Sequence, residues 1–390
     1  MMRKVPVVLM RGGTSKCVVL RLEDAPGAGD ERDRFLLRLL GSPDPRQIDG
    51  LGGGASTTSK VVMVGPSGRP DADVEYTFAQ VSVQEAKVDY RGNCGNCASA
   101  VGPFAVQEGL VPLRPPVTEV RIYNTNTRKL IVAEVPTSAG GVREEGDVAI
   151  AGVPGTGAGE TLWFLHPENT SGHGLLPTGQ ALDVVPTSLG PVRATFVDAA
   201  NPVVFAAAED LGMAGTEVVP LDLWPAAVRL ACEQVRGFAA VQLGIAQTPE
   251  AAVEVSRNIP KVGMVCRPAA YLDIYGQEVP SGDQDVTARI LSMATLHPAF
   301  ALTGAMALAA AATVPGSIVH AATGGTASTS LRIGHPSGVL SIMRRFGPDG
   351  SLVALGIQRT ARRLMAGDAF VPWDSSRMVQ AGPERSSPRA

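Results

Sequence analysis

Cys94 stands in Arg91-Gly92-Asn93-Cys94-Gly95-Asn96-Cys97, a polar, glycine-rich turn that runs straight into an apolar stretch at residues 98–106. Glycine lets backbone approach a ligand closely. The first turn of a helix carries N–H groups without intrahelical partners and a partial positive charge. A carboxylate fits there without an added cation, and a thiol has its anion favoured. Cys94 is therefore a candidate acid/base or nucleophile. Asn93, Gly95 and Asn96 are candidate carboxylate contacts, with helix capping as the plain alternative for the asparagines.

A second group of reactive types precedes it. Gly52-Gly53-Gly54-Ala55-Ser56-Thr57-Thr58-Ser59 delivers Lys60 to the start of the apolar run Val61-Val62-Met63-Val64. The loop has the look of a phosphate cradle, but the Gly-Lys-Ser/Thr ending is missing and a strand follows instead of a helix, so a nucleotide is excluded. Taken alone, Lys60 is an acid/base, an anion contact or a surface lysine at a strand edge. Arg11-Gly12-Gly13-Thr14-Ser15-Lys16 joins two short apolar runs. Its N–H groups and the Thr14 and Ser15 hydroxyls suit an anion, or an ordinary hairpin turn. In the second half, His335 and Ser337 of Gly334-His335-Pro336-Ser337-Gly338 are candidate carboxylate contacts. Asn201 before Pro202 either joins them or only initiates a turn.

Metal and redox readings fare worse. Cys94 and Cys97 form a Cys-x-x-Cys pair, but no second pair or small βαβ setting accompanies it. Cys97 reads as a packed residue one turn along. His166, His173, His297 and His320 share no metal-ligand spacing. No metal and no cofactor is expected.

The elements that must position these groups follow from periodicity. Strands are predicted at residues 5–10, 17–20, 61–64, 74–83, 87–90, 117–123, 129–135 and 148–150, with a helix at 31–40 stopped by Gly41-Ser42-Pro43. The helix after Cys94 carries Pro103, which predicts a kink. A loop-rich region at 152–190 leads to strands at 192–197, 203–207 and 262–265, a helix at 226–245, and two helices at 285–296 and 298–313. The last of these is small and apolar all round, as a buried central helix is. Strands follow residue 330 and the 334–338 turn, and the polar tail after Trp373 reads as disordered. Both halves thus hold strands, a buried small-residue helix and a hydroxyl-rich loop. Gly54-Ala55-Ser56-Thr57 is faintly echoed by Thr326-Ala327-Ser328-Thr329. The expected architecture is α+β, with two similar domains at 1–189 and 190–366, residues 367–390 returning to the first, and a ligand site in the cleft between them.

Composition fits a globular enzyme. The 390 residues are 45% hydrophobic and 18% charged, with 44 glycines, 30 prolines and a net charge of −3. Nothing here suits nucleic acid or a membrane surface. The apolar residues near the N-terminus are too few for a signal segment, and the longest apolar run, 300–314, is too short for a span. Five scattered cysteines suit a reduced, cytoplasmic protein.

Together the motifs resemble those of the PrpF family. The carrying residues are Met10-Arg11-Gly12-Gly13-Thr14-Ser15-Lys16, Gly41-Ser42-Pro43-Asp44-Pro45, Thr58-Ser59-Lys60, Gly92-Asn93-Cys94-Gly95-Asn96, Ala100-Val101-Gly102-Pro103-Phe104 and Gly334-His335-Pro336-Ser337-Gly338. The resemblance implies the diaminopimelate-epimerase-like fold: two pseudo-symmetric domains, each a curled, mainly antiparallel sheet around a central helix. It also implies cofactor-free isomerisation of a small unsaturated di- or tricarboxylate of the methylaconitate, aconitate or itaconate type, with Lys60 and Cys94 as the catalytic pair. Within the family, a 4-oxalomesaconate-type tautomerase is the alternative reaction. Outside catalysis, the alternatives are a carboxylate-binding protein and an accessory partner of an aconitase-like dehydratase. The 44–49 loop is shorter than in the family's 2-methylaconitate isomerases, which weighs against that substrate. A homo-oligomer is compatible with all of these readings.

Moving a double bond conjugated to a carboxylate means taking an acidic γ-proton, holding a dienolate, and returning a proton elsewhere. An amine and a thiol side by side can do this. A facing-cysteine racemase is disfavoured, since Cys232 falls in a predicted helix and Cys266 after a strand.

Overall fold

In a computed structural model of the chain, the described residues are 2–90, 93–150, 152–256, 259–292, 295–325 and 328–373. Arg91, Gly92, Thr326, Ala327 and the tail after Trp373, all used above, lie outside them. The chain divides into two compact units, Met1–Leu162 with Gln358–Ala390, and Trp163–Ile357. The pattern of the sequence placed these breaks at 189/190 and 366/367.

The first segment of unit 1 runs β1 (Met2–Gly12), β2 (Ser15–Arg21), α1 (Asp30–Leu40), β3 (Lys60–Pro66), β4 (Val74–Val81), β5 (Val88–Asp89), α2 (Gly95–Gln107), β6 (Val117–Asn124), β7 (Lys129–Ser138), β8 (Gly141–Val142) and β9 (Glu160–Leu165). Unit 2 continues with β10 (Asp183–Thr187), β11 (Gly190–Ala199), β12 (Asn201–Ala207), α3 (Ala226–Gln242), α4 (Ala252–Val255), β13 (Lys261–Cys266), β14 (Tyr271–Leu272) and β15 (Glu278–Val279). It ends with β16 (Val286–Ser292), β17 (Thr295–Leu296), α5 (Leu302–Ala311), α6 (Ile318–Ala322), β18 (Ser330–His335), β19 (Gly338–Phe346) and β20 (Leu352–Arg359). The last strand, β21 (Ala361–Pro372), returns to unit 1 and pairs antiparallel with β1.

In unit 1 the strands pair in the order β21, β1, β2, β3, β4, β6, β7, antiparallel except for the parallel pairs β2–β3 and β4–β6. All of them contact α2, which is buried from Cys97 through Val106. Such closeness requires small residues: a Cβ on Gly102 would stand 2.7 Å from Val135 Cγ2. The helix runs on through Pro103. Outside the sheet, α1 has acidic residues in its first turn and ends on the left-handed Gly41. It packs Phe35, Leu36, Leu39 and Leu40 into a cluster with Val18, Val61 and Ala79.

Unit 2 repeats this plan. The order is β10, β11, β12, β13, β16, β18, β19, with parallel pairs again in third place (β12–β13) and fifth place (β16–β18). Its fully buried helix α5 packs on β11, β12 and β19, while α3 covers β10–β13 from the other side.

The helix expected at 285–296 is a correction: this segment forms β16 and β17. Strand β16 lies between β13 and β18 and is buried from Val286 to Leu291. A strand covered on both faces loses the alternation that would mark it, and pairing on both edges decides the outcome. The residues expected as a strand at 148–150 make only an isolated bridge, Val148 to Gly157. The loop echo is not a repeat either: residues 54–57 precede β3, whose counterpart is β13, whereas Ser328 and Thr329 precede β18.

Candidate active site

Lys60 is the first residue of β3, whose next five residues are buried, and is itself only 8% exposed. Its Nζ donates to Gln80 Oε1 at 2.5 Å and lies 5.1 Å from the centre of the Phe78 ring. Gln80 faces Lys60 in the β3–β4 register. Its amide orientation is fixed because Nε2 donates to the carbonyls of Ser59 at 2.9 Å and Ser56 at 3.2 Å. An oxygen is thus held on the amine, which suits an ammonium.

Cys94 is the N-cap of α2, in an extended conformation, and its Sγ accepts the Cys97 N–H at 3.4 Å. Ser15 Oγ is 3.9 Å from the same sulfur. Cys17 joins this cluster from β2: the parallel register Val18–Val61 sets it beside Lys60. Burial pulls the Lys60 amine down. Electrostatic coupling to the side chains of Cys94, Cys97 and Cys17 pulls it up and prevails, so it titrates above an ordinary lysine. The Cys94 thiol is pushed well up by the Cys97 side chain and by burial, which outweigh the Lys60 charge and the Cys97 N–H; Cys97 is pushed up by burial first. At neutral pH the cluster therefore holds a buried ammonium beside a half-buried thiol, a pair whose protons are coupled.

The turn residues close around this pair. Asn96 Nδ2 donates to Thr14 Oγ1 at 2.9 Å. Gly12 and Gly13 lie so near α2 that a Cβ would stand 2.3 Å from the Asn96 carbonyl and 2.2 Å from Asn96 Oδ1 respectively. Gly13 also has φ +51°, so both the approach and the conformation demand glycine there. Asn96 Oδ1 is buried with no hydrogen-bond partner among the described residues. Asn93 is anchored from below: Tyr76 OH donates to Asn93 Oδ1 at 2.6 Å and accepts from Asn124 Nδ2 at 3.0 Å. Asn124 Oδ1 accepts the Asn126 N–H at 2.9 Å, fixing that amide in turn.

Unit 1 therefore brings together Thr14, Ser15, Lys60, Asn93, Cys94, Gly95 and Asn96. Gln80, Tyr76 and Asn124 were not read from the sequence. They act across strands, and only the pairing register would have revealed Gln80. In unit 2, Asn201 opens β12 after the turn at Ala200, φ +57°. His335 is buried at the end of β18, where its Nδ1 accepts the Ser337 N–H at 3.2 Å. Ser337 Oγ donates to the Pro298 carbonyl. Among the described residues no hydrogen bond links Asn201 to either of them.

The PrpF protein family model matches residues 2–372. A 3-methylitaconate isomerase of Eubacterium barkeri is 42% identical over 94% of this chain and 97% of its own. A 4-oxalomesaconate tautomerase of Pseudomonas putida is 37% identical over 98% and 99%. The crystal structure of a methylitaconate-delta-isomerase superposes with TM-score 0.87 at 40% identity, covering 97% of this chain and 100% of that one. A hydroxyproline epimerase from Agrobacterium vitis, 13% identical over 94% and 93% with TM-score 0.52, shares the fold.

Proposed function

This chain belongs to the PrpF family, and on that premise we propose that it is an isomerase that relocates the C=C bond of a small unsaturated di- or tricarboxylate. The observation that carries the reading is the buried Lys60 amine, held on Gln80 Oε1, with the half-buried Cys94 thiol at the N-cap of α2 near enough to couple to it electrostatically. With one proton removed, the pair takes the allylic proton from the bound acid. The electrons move into the conjugated carboxylate, giving a dienolate. The proton then returns to the far carbon of the allyl unit, and the pair regains its starting state. Lys60 as ammonium stabilises the extra charge on the dienolate. Thr14, Ser15, Asn93, Gly95 and Asn96 supply donors to the carboxylates. Asn201, His335 and Ser337 are candidate contacts of the same kind in unit 2. No step needs a cofactor.

The test is proton NMR in deuterated water with itaconate, methylitaconate, aconitate, methylaconitate and oxalomesaconate. Deuterium entering an allylic carbon of one acid, and its loss in Lys60→Ala and Cys94→Ala, is the expected result. A protein that binds these acids without exchanging any carbon-bound hydrogen refutes the reading and favours a binding role. The 37% identical tautomerase favours a second reaction, a keto–enol shift on an oxo-substituted acid. Deuterium next to the ketone of oxalomesaconate alone would select it.

A further inference from the structure

The proposed reaction uses one sulfur of Cys94-Gly95-Asn96-Cys97 and leaves the other without a task. Cys94 is the N-cap of α2, and Cys97 is the third residue of the helix. At these two positions the cap side chain turns to the third N–H, and the third side chain reaches back towards the cap. Cys94 Sγ indeed accepts the Cys97 N–H at 3.4 Å. Helical spacing sets Cα atoms three residues apart at about 5 Å, inside the roughly 4.4–6.8 Å that a disulfide spans. The two side chains also shift each other's titration, as groups in near contact do. Side-chain rotation alone therefore brings sulfur to sulfur, with the helix left as it is.

The two thiols differ in access. Cys94 is half-buried, whereas Cys97 is 0% exposed. An oxidant from solvent meets Cys94 first, and Cys97 is placed to attack what forms there. Cys17, also buried, shifts the titration of Cys97 as well and is the rival partner.

We propose that Cys94 and Cys97 are an oxidative modification site, which hydrogen peroxide closes to a disulfide and a dithiol reopens. Cys94 as thiolate attacks one peroxide oxygen, the O–O bond breaks, hydroxide leaves, and a sulfenic acid remains. The Cys97 sulfur then attacks the sulfenic sulfur, the S–S bond forms, and a second hydroxide leaves. Both thiol protons end in water. Two thiols and one peroxide thus give one disulfide and two waters, with two electrons passing from sulfur to oxygen. The Lys60 charge and the Cys97 N–H favour the thiolate that starts the sequence. Without Cys97 the sulfenic acid would go on to a sulfinic acid, which a dithiol does not reverse. The effect on turnover rests on the isomerase reading above; the chemistry of the two sulfurs does not.

The experiment treats the full chain with excess hydrogen peroxide, then with dithiothreitol, and follows peptide mass and turnover together. No lysine or arginine lies between Cys94 and Cys97, so one tryptic peptide holds both, while Cys17 falls in another. The expected product is that peptide about 2 Da lighter, with turnover lost in step with its formation and both restored by dithiothreitol. Cys17→Ala should form the same disulfide. In Cys97→Ala, Cys94 should become about 32 Da heavier, and lost turnover should not return. A wild-type peptide that gains oxygen instead of losing hydrogen overturns the proposal, as does a cross-link between Cys17 and Cys97. Recovery of Cys97→Ala as complete as that of wild type also overturns it. If Cys97→Ala does not fold, the wild-type peptide map decides alone. A disulfide that forms in a protein turning over none of the acids would sink the isomerase reading and leave this site standing. Full turnover with the disulfide closed would overturn both.

Discussion

Replacing Tyr76 by Phe tests whether the turn that carries Cys94 is held from beneath. The hydroxyl is buried, 1% exposed, and links two side chains: it donates to Asn93 Oδ1 and accepts from Asn124 Nδ2. Removing it affects the two unequally. Asn124 is 0% exposed, so its abandoned N–H stays unsatisfied, at about 1–3 kcal/mol. Asn93 is only half-buried and can turn to water, losing about 1 kcal/mol or less. The sum is about 1–4 kcal/mol, which lowers Tm by about 2–16 °C in a domain of this size. Catalysis should suffer separately, because Asn93 precedes the cap residue Cys94. A displacement on the order of 1 Å at the sulfur costs about ten- to a hundredfold in kcat. Asn93→Ala separates the two effects: it should reproduce the loss of kcat with a smaller fall in Tm. The double variant Tyr76→Phe/Asn93→Ala should lose little more kcat than either single one, since both act through one link. Additive kcat losses, or a Tyr76→Phe protein with unchanged kcat, would show that the Tyr76–Asn93 bond does not position Cys94.

Cys94→Ser should keep the fold and lose activity. Serine is a strong helix N-cap, so thermal stability should hold or rise by about 0.5–1 kcal/mol, while turnover followed by NMR drops about a hundredfold or more. Both Lys60 and Cys94 titrate above their ordinary values, so the proton-deficient pair is a minor form at neutral pH. kcat/KM should therefore climb from pH 6 into the alkaline range, and a profile that falls over pH 7 to 9 contradicts the assignment. Glu160 is buried and its carboxyl is pushed well above the ordinary value by burial first. The folded state thus holds a proton that the unfolded chain releases above about pH 4.5, so this residue's contribution falls as pH rises. Glu160→Gln should raise stability by about 1–3 kcal/mol at pH 8 and give no gain at pH 4, as read from urea unfolding at both values.

Lys60 and Cys94 stood out as candidates because their signals are local, although only the family resemblance paired them. Glycine and asparagine around Cys94 have no reason to occupy a core, and a hydroxyl-rich loop ending on Lys60 stands out against the valines that follow it. Gln80, Tyr76 and Asn124 carry no such signal. Each is an ordinary polar residue in a strand or at its end, and its meaning arises only when β4 pairs with β3 and β6. The error at 285–296 has the same origin: an apolar run without glycine or proline satisfies a helix pattern, and only neighbours on both edges make it a strand. The division into units was half visible for a related reason. Glycine and proline mark residues 152–190 as loop, but β10 within them pairs with β11, which carries that stretch into the second unit.

Pairing also explains why the two lysines, matched in register, are chemically unlike. A buried amine in an apolar sheet has one default, which is to lose its proton as burial disfavours the charge. Lys261, beside Val203, follows that default. Lys60 departs from it because its titration is coupled to the side chains of Cys94, Cys97 and Cys17, any of which would balance its charge when ionised. Three sulfurs in one unit thus separate the titration of Lys60 from that of Lys261, which has a valine beside it. On the proposed reading, placing valine at Cys17 should move the alkaline limb of kcat/KM to lower pH, because one of the groups coupled to Lys60 is gone. A limb that stays in place would mean that Gln80 alone sets the charge of Lys60.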